Sequence, residues 1–313
     1  MRPVTPAVAL LLLWALPGSG APQLVVATFA HDEQERYQAL VLAESIRANA
    51  GAWRTVPIRL HLSELVLEAD LALQKKLSSL NVSVARSQTP ADALSFGFAR
   101  KVFAAARAEA EAVSEILIWM DPDTVLLKEP RELNLAKGVS FGYRPVHHTL
   151  IGSPFSEPPN QFWSLLYRKL SVPERAIFPV VAPVDGRKLR AYFNAGLLVV
   201  RPQRGVLRKW RDSFQEVYRD PAIAELCKQD RLKLIFLHQA ALAGAVLSLL
   251  EKGETVELPP AYNYPLNLHA KPDPIGRFVT IRYEDLFRER GWSQKVQGPA
   301  QVLSWLKARF PED

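Results

Sequence analysis

A mainly parallel α/β fold is predicted by three features of the sequence. Short β-rich apolar runs alternate with helical periodicity through the first 120 residues, which implies βαβ units and right-handed crossovers. Ile116-Leu-Ile-Trp-Met120 is a continuous apolar run, as expected of a strand covered by helices on both faces, and it ends abruptly in Asp121 and Asp123. A second run, Phe193–Val200, carries Asn194, Ala195 and Gly196 inside it. Glycine within a strand often marks close approach of backbone or ligand.

The elements follow in chain order. Leu24-Val-Val-Ala-Thr-Phe29 reads as a first buried strand. Residues 33–49 carry Tyr37, Leu40, Val41 and Ile46 at helical spacing, closed by Ala48-Asn-Ala-Gly51. Residues 56–62 form a second strand, and a helix follows through Leu65, Leu73 and Leu77. Residues 81–85 form a third strand, and 93–113 a long Ala-rich helix leading into the acidic strand of 116–127. The second half is less regular. It shows a strand at 139–143, a helix holding Phe162, Trp163, Leu166 and Tyr167, and Pro-rich loops at 153–159 and 173–185. A strand at 190–202, interrupted by Asn-Ala-Gly, comes next. Helices are expected at 206–218 and 236–250, a turn at 261–265, a last strand at 277–283 and a terminal helix at 299–310. No linker rich in Gly, Ser or charge divides residues 22–313, which are read as a single domain.

Pro122 pushes Asp121 towards extended geometry, so the carboxylates of Asp121 and Asp123, two positions apart, lean the same way. Two acidic groups at the carboxyl end of a central strand suit a hard divalent cation and, through it, a diphosphate. The same Asp-Pro-Asp also suits a plain turn between two strands.

With 39 basic and 32 acidic side chains in 313 residues, the chain carries a formal charge of +7. The cations are scattered and no basic cluster interleaves with aromatics, so anionic small molecules are acceptable partners and nucleic acid is not expected. Arg2, an apolar core at 7–16 and small residues at 19–21 read as a signal peptide over 1–21, too short to span a bilayer. The expected route is export or the secretory pathway. An uncleaved leader would anchor the chain weakly to a membrane, and no further segment is expected to cross one. The lone cysteine, Cys227, forms no internal disulfide.

Taken together, the acidic strand and Phe193-Asn-Ala-Gly-Leu-Leu-Val-Val200 make the chain resemble GT-A-fold glycosyltransferases, most nearly family 8, the glycogenin and lipopolysaccharide galactosyltransferase group. The resemblance implies that Asp121-Pro-Asp123 is the family's Asp-x-Asp motif, holding Mn²⁺ or Mg²⁺ against a nucleotide diphosphate. It further implies uracil- and ribose-binding roles for Thr28 and Tyr37, and a basic donor contact at Arg100 or Lys101. A sugar-orienting role falls to Asn194, with Gly196 allowing close approach. The chain also departs from the pattern. His238-Gln239-Ala240 stands where family members carry Asp-Gln-Asp, so only Gln239 is kept. The third metal ligand, a histidine in the family, falls at Arg282. His269 is a candidate replacement; without it, either the metal keeps just two protein carboxylates plus phosphate and water, or Arg282 itself meets the diphosphate. Gly291-Trp292 echoes a Lys-Pro-Trp ending without the lysine.

The expected activity is therefore retaining glycosyl transfer from a nucleotide sugar, a UDP-sugar first, to a glycan, lipid or protein acceptor. Asn194 and Gln239 would orient the sugar, and His238 would assist as a base if its pKa suits. Two other readings stay open: a GT-A-like protein that binds sugar or nucleotide without turnover, and nucleotidyl transfer. The latter lacks a Gly-rich phosphate loop after the first strand. A Ser-His-Asp hydrolase lacks its Gly-x-Ser-x-Gly elbow, and His147-His148 with one cysteine fails zinc spacing.

Overall fold

The computed structural model describes residues 23–63 and 71–312. The expected leader and the part of the second helix around Leu65 lie outside them. The first half alternates strands and helices: β1 (Leu24–Ala30), α1 (Glu33–Asn49), β2 (Ile58–Ser63), α2 (Leu71–Ser79), β3 (Val82–Ser87), α3 (Ala99–Glu111) and β4 (Ile116–Met120). Next come β5 (Thr124–Leu126), β6 (Phe141–Pro145), α4 (Gln161–Lys169), β7 (Pro179–Val181), β8 (Lys188–Arg190) and β9 (Phe193–Val200). The chain continues through α5 (Val206–Tyr218), α6 (Pro221–Gln229), α7 (Arg231–Leu249), β10 (Thr255–Glu257) and β11 (Tyr264–Pro265). It ends with β12 (Thr280–Arg282), α8 (Trp292–Lys295) and α9 (Ala300–Lys307).

The main sheet runs β10-β6-β9-β4-β1-β2-β3. Strands β1 to β4 pair in parallel, and β9 lies antiparallel between β4 and β6. All five residues of β4 are buried because the sheet is covered on both sides. Its side chains alternate. Leu117 and Trp119 pack with Val102 and Ala105 of α3, Trp210 of α5 and Leu242 of α7, while Ile116, Ile118 and Met120 pack with Leu42 and Ile46 of α1. A third core gathers Val125, Ile281, Phe287 and Trp292 around a smaller sheet, β11-β12-β5.

Several elements differ from the sequence reading. The stretch 116–127 is not one strand: β4 stops before Asp121, and β5 joins the smaller sheet antiparallel to β12. The interruption expected in β9 takes the form of an irregular ladder: the strand runs on from Phe193 to Val200, but its register with β6 shifts between Leu198 and Phe193, where the Asn194 side chain accepts the Gly196 N–H at 2.8 Å. Helix α3 starts at Ala99 and not near Ala93, since Phe98 adopts left-handed backbone (φ 60°). The 173–185 loop contains β7, paired with β8 in a small hairpin. Helix α6, started by Pro221 after the N-cap Asp220, was not expected at all. Helix α7 is long and apolar enough to cross a membrane by length and composition, with mean hydropathy 1.6. Most of it is buried within the fold, where it packs on α5 and β9, and this accounts for its apolar character on all sides.

Candidate active site

The carboxyl end of β4 opens into a cleft of about 510 Å³, where ligands of open α/β sheets bind. Asp121 and Asp123 stand at its inner end. The Asp121 N–H donates to the Gly196 carbonyl at 2.8 Å, so β9 fixes the turn that follows β4. Lys101, in the first turn of α3, donates to Asp121 Oδ2 at 2.7 Å and is itself buried. Arg282 comes from the other side. The antiparallel register sets it opposite Thr124, and its Nε and Nη2 fork onto the two oxygens of Asp123 at 3.3 and 2.8 Å. Nη2 also lies 3.4 Å from Asp121 Oδ2. The result is an alternating cluster of two carboxylates and two cations. Asp123 and Asp121, acting against the cost of burial, push the Arg282 guanidinium above its ordinary value, so it is permanently charged.

Gly196 is the residue that lets this cluster form. A Cβ there would lie 2.9 Å from Arg282 Nη1 and 2.9 Å from Asn194 Oδ1. Asn194 is buried, and its Oδ1 accepts from the Gly196 N–H and from Asn263 Nδ2 at 3.0 Å.

His238 and Gln239, on α7, also line the cleft. His238 packs against the Phe98 ring with centroids 4.6 Å apart. Its Nδ1 donates to the Ile235 carbonyl at 3.0 Å in the tautomer that leaves Nε2 as an acceptor, and Nε2 has no partner. Burial, with Lys101 nearby, pushes its pKa well below the ordinary histidine value. A neutral, weakly basic imidazole suits hydrogen bonding and does not suit the base role expected from sequence. Gln239 Oε1 is likewise unpartnered.

Other expected residues fall elsewhere. Tyr37 does not line the cleft. It is half-exposed on the face of α1 turned to the C-terminal segment, and its hydroxyl donates to the Arg309 carbonyl. Gln34 and Gln38, one turn apart on α1, line the cleft in its place. Arg100 points into a neighbouring groove with His31 and Arg211, and Lys101, one residue on, enters the cluster. Thr28 is buried with its hydroxyl unpartnered and does not line the cleft, whereas Phe29 does. His269 stacks on Tyr264 (4.9 Å, 3° between planes) and lies outside the cleft lining. His147, which appeared in the sequence only as half of a pair that fails zinc spacing, is buried and lines the cleft.

The divalent ion expected on Asp121, Asp123 and His269 does not fit this arrangement. Three of the four carboxylate oxygens already face Lys101 or Arg282, which leaves Asp121 Oδ1 as the single unpartnered one. Among the described residues, no three His, Cys, Asp or Glu side chains gather as a metal site. One or two carboxylates can hold a hard cation when water and phosphate complete its shell, so a cation here would first have to displace Lys101 or Arg282 from them.

No curated protein sequence matches this chain. Solved structures do. The galactosyltransferase LgtC, in complex with donor and acceptor sugar analogs, is 14% identical and superposes with a TM-score of 0.52, covering 92% of this chain and 96% of LgtC. The bifunctional glycosyltransferase WbbM, in its apo form, is 13% identical with a TM-score of 0.54, covering 95% of this chain and 51% of that one. These likenesses bear out the GT-A fold. Residues 26–249, well over half of the 313, match the Rhodobacterales glycosyltransferase domain, and the chain belongs to that family of glycosyltransferases.

Proposed function

We propose that the protein transfers a sugar from a nucleotide-sugar donor to an acceptor hydroxyl, with the diphosphate seated at the Lys101–Asp121–Arg282–Asp123 cluster. That cluster, at the carboxyl end of β4 and the inner end of the cleft, is the observation that carries the reading. In the reaction the bond between the anomeric carbon and phosphate oxygen breaks, and its electron pair departs with the diphosphate. The acceptor oxygen bonds the carbon, and its proton passes to an oxygen of the departing diphosphate. Arg282 Nη1, packed over Gly196, makes none of the bonds to Asp123 and is available to the departing charge. The carboxylates hold the two cations in place, so stabilisation is preorganised rather than recruited. Asn194 and Gln239 orient the sugar. The LgtC likeness supports both a donor and a sugar acceptor. A UDP-sugar is the first donor to try, and retention at the anomeric carbon is the expected outcome.

The test is nucleoside diphosphate release from a panel of nucleotide sugars offered with glycan, lipid and peptide acceptors. The Asp121→Asn, Asp123→Asn double variant should lose at least 100-fold in turnover, on the order of one lost charge-stabilising contact. Unchanged turnover would remove the cluster from the mechanism. The full pairing of both carboxylates also suits a protein that binds the donor without turnover. Tight nucleotide-sugar binding with neither hydrolysis nor transfer would select that reading.

A further inference from the structure

Several buried polar atoms on the wall of this cleft have no partner: both ring nitrogens of His147, Nε2 of His238, Oε1 of Gln239 and Oδ1 of Asp121. Buried polar groups are normally hydrogen-bonded, and each exception asks for a ligand or an ordered water. These atoms touch little solvent, so groups seated against the wall are what can complete them. His147 follows β6 directly, and its carbonyl accepts the Val184 N–H at 3.0 Å, which ties it to the segment between β7 and β8. Burial and the nearby Arg282 and Arg144 push its pKa well down, so the ring is neutral and offers one donor and one acceptor.

Charge narrows what can sit there. Lys101 and Arg282 are the lysine and arginine among the described residues lining the cleft, and both are paired with Asp121 or Asp123. With the free Nη1 of Arg282 taken by the diphosphate, a carboxylate on a sugar ring would find no spare cation among the cleft-lining residues, whereas alternating hydroxyl groups would find a donor and acceptors. From this we infer that His147 is a specificity-determining residue that reads hydroxyls of an uncharged sugar ring, and that the site discriminates against uronic acids. The inference rests on the nucleotide-sugar reading above.

Calorimetric titration of the full chain with UDP, UDP-glucose, UDP-galactose, UDP-glucuronate, GDP and GDP-mannose tests it. At least one neutral sugar nucleotide should bind about tenfold more tightly than its parent nucleotide, and UDP-glucuronate should gain nothing over UDP. His147→Ala should erase the gain conferred by the sugar while leaving affinity for the bare nucleotide within about twofold, and His147→Asn should keep part of the gain. Near-UV circular dichroism checks that both variants are folded. A sugar-dependent gain that survives in His147→Ala, or a gain for UDP-glucuronate equal to that of the neutral sugars, overturns the inference and leaves the donor reading standing. Absence of binding by every nucleotide and nucleotide sugar overturns both.

Discussion

Gly196 decides more at this site than its size suggests. It sits in β9 without unusual backbone, so the need for glycine comes from space and not from φ. Its carbonyl holds Asp121, its N–H ties down Asn194, and Arg282 Nη1 lies where a side chain would begin. Gly196→Ala should therefore push Arg282 off its fork with Asp123. We expect a stability loss of about 1–2 kcal/mol in urea unfolding, typical of overpacking, together with a fall in nucleotide affinity of tenfold or more. A variant with native nucleotide affinity would show that the fork does not depend on this contact. At this scale the sequence was legible in part. Asp-Pro-Asp on an apolar strand pointed at Asp121 and Asp123, and Lys101 and Arg282 came from a resemblance. The resemblance assigned a donor contact to Tyr37, whereas its neighbour Gln38 lines the cleft, because a matched position does not say which face of the helix the fold turns inward. Burial holds the pKa of the expected base, His238, well below its ordinary value and so makes it a weak one, which no local sequence reveals.

The C-terminal segment shows what an element does that its own residues do not announce. Arg309 donates to Glu44 of α1 at 2.6 Å and lies over the Trp305 ring at 3.8 Å, and Lys76 of α2 reaches the same carboxylate at 2.6 Å. Burial alone would raise the Glu44 pKa, but hydrogen bonds from Lys76 and Arg309 hold it below the ordinary 4.5. A carboxylate whose folded pKa is depressed adds stability above 4.5 and loses it as pH falls through the folded value. Acid should thus loosen the contact of α9 with α1 below about pH 4.5, by ~1 kcal/mol or less for a partly screened pair. Glu44→Gln should remove that pH dependence, read from tryptophan fluorescence during unfolding at pH 7 and pH 4. An unchanged pH profile would show that the pair contributes nothing to docking. A terminal helix was legible in the sequence, but its partner was not. The same holds for β12, whose pairing with β5 brings Arg282 across 159 residues to Asp123. Pairing between distant strands leaves no periodic trace, whereas the βαβ units of the first half are local and were read nearly correctly.

On the scale of the whole molecule, the parallel half supplies the acidic strand end, the reversed strand β9 fixes its geometry, and the smaller sheet delivers the arginine. Fold class was legible because alternation of strands and helices, and apolar runs buried on two faces, are written along the chain. The charge state of the site was not, since it depends on which cations the finished fold places beside Asp121 and Asp123. The most direct test of the account is calorimetric titration of UDP into the full chain in EDTA, for the wild type and for Arg282→Gln. The account predicts binding without added metal that falls tenfold or more in Arg282→Gln. Binding that requires Mn²⁺ and survives the loss of Arg282 would contradict it, and would return the two carboxylates to the role of metal ligands.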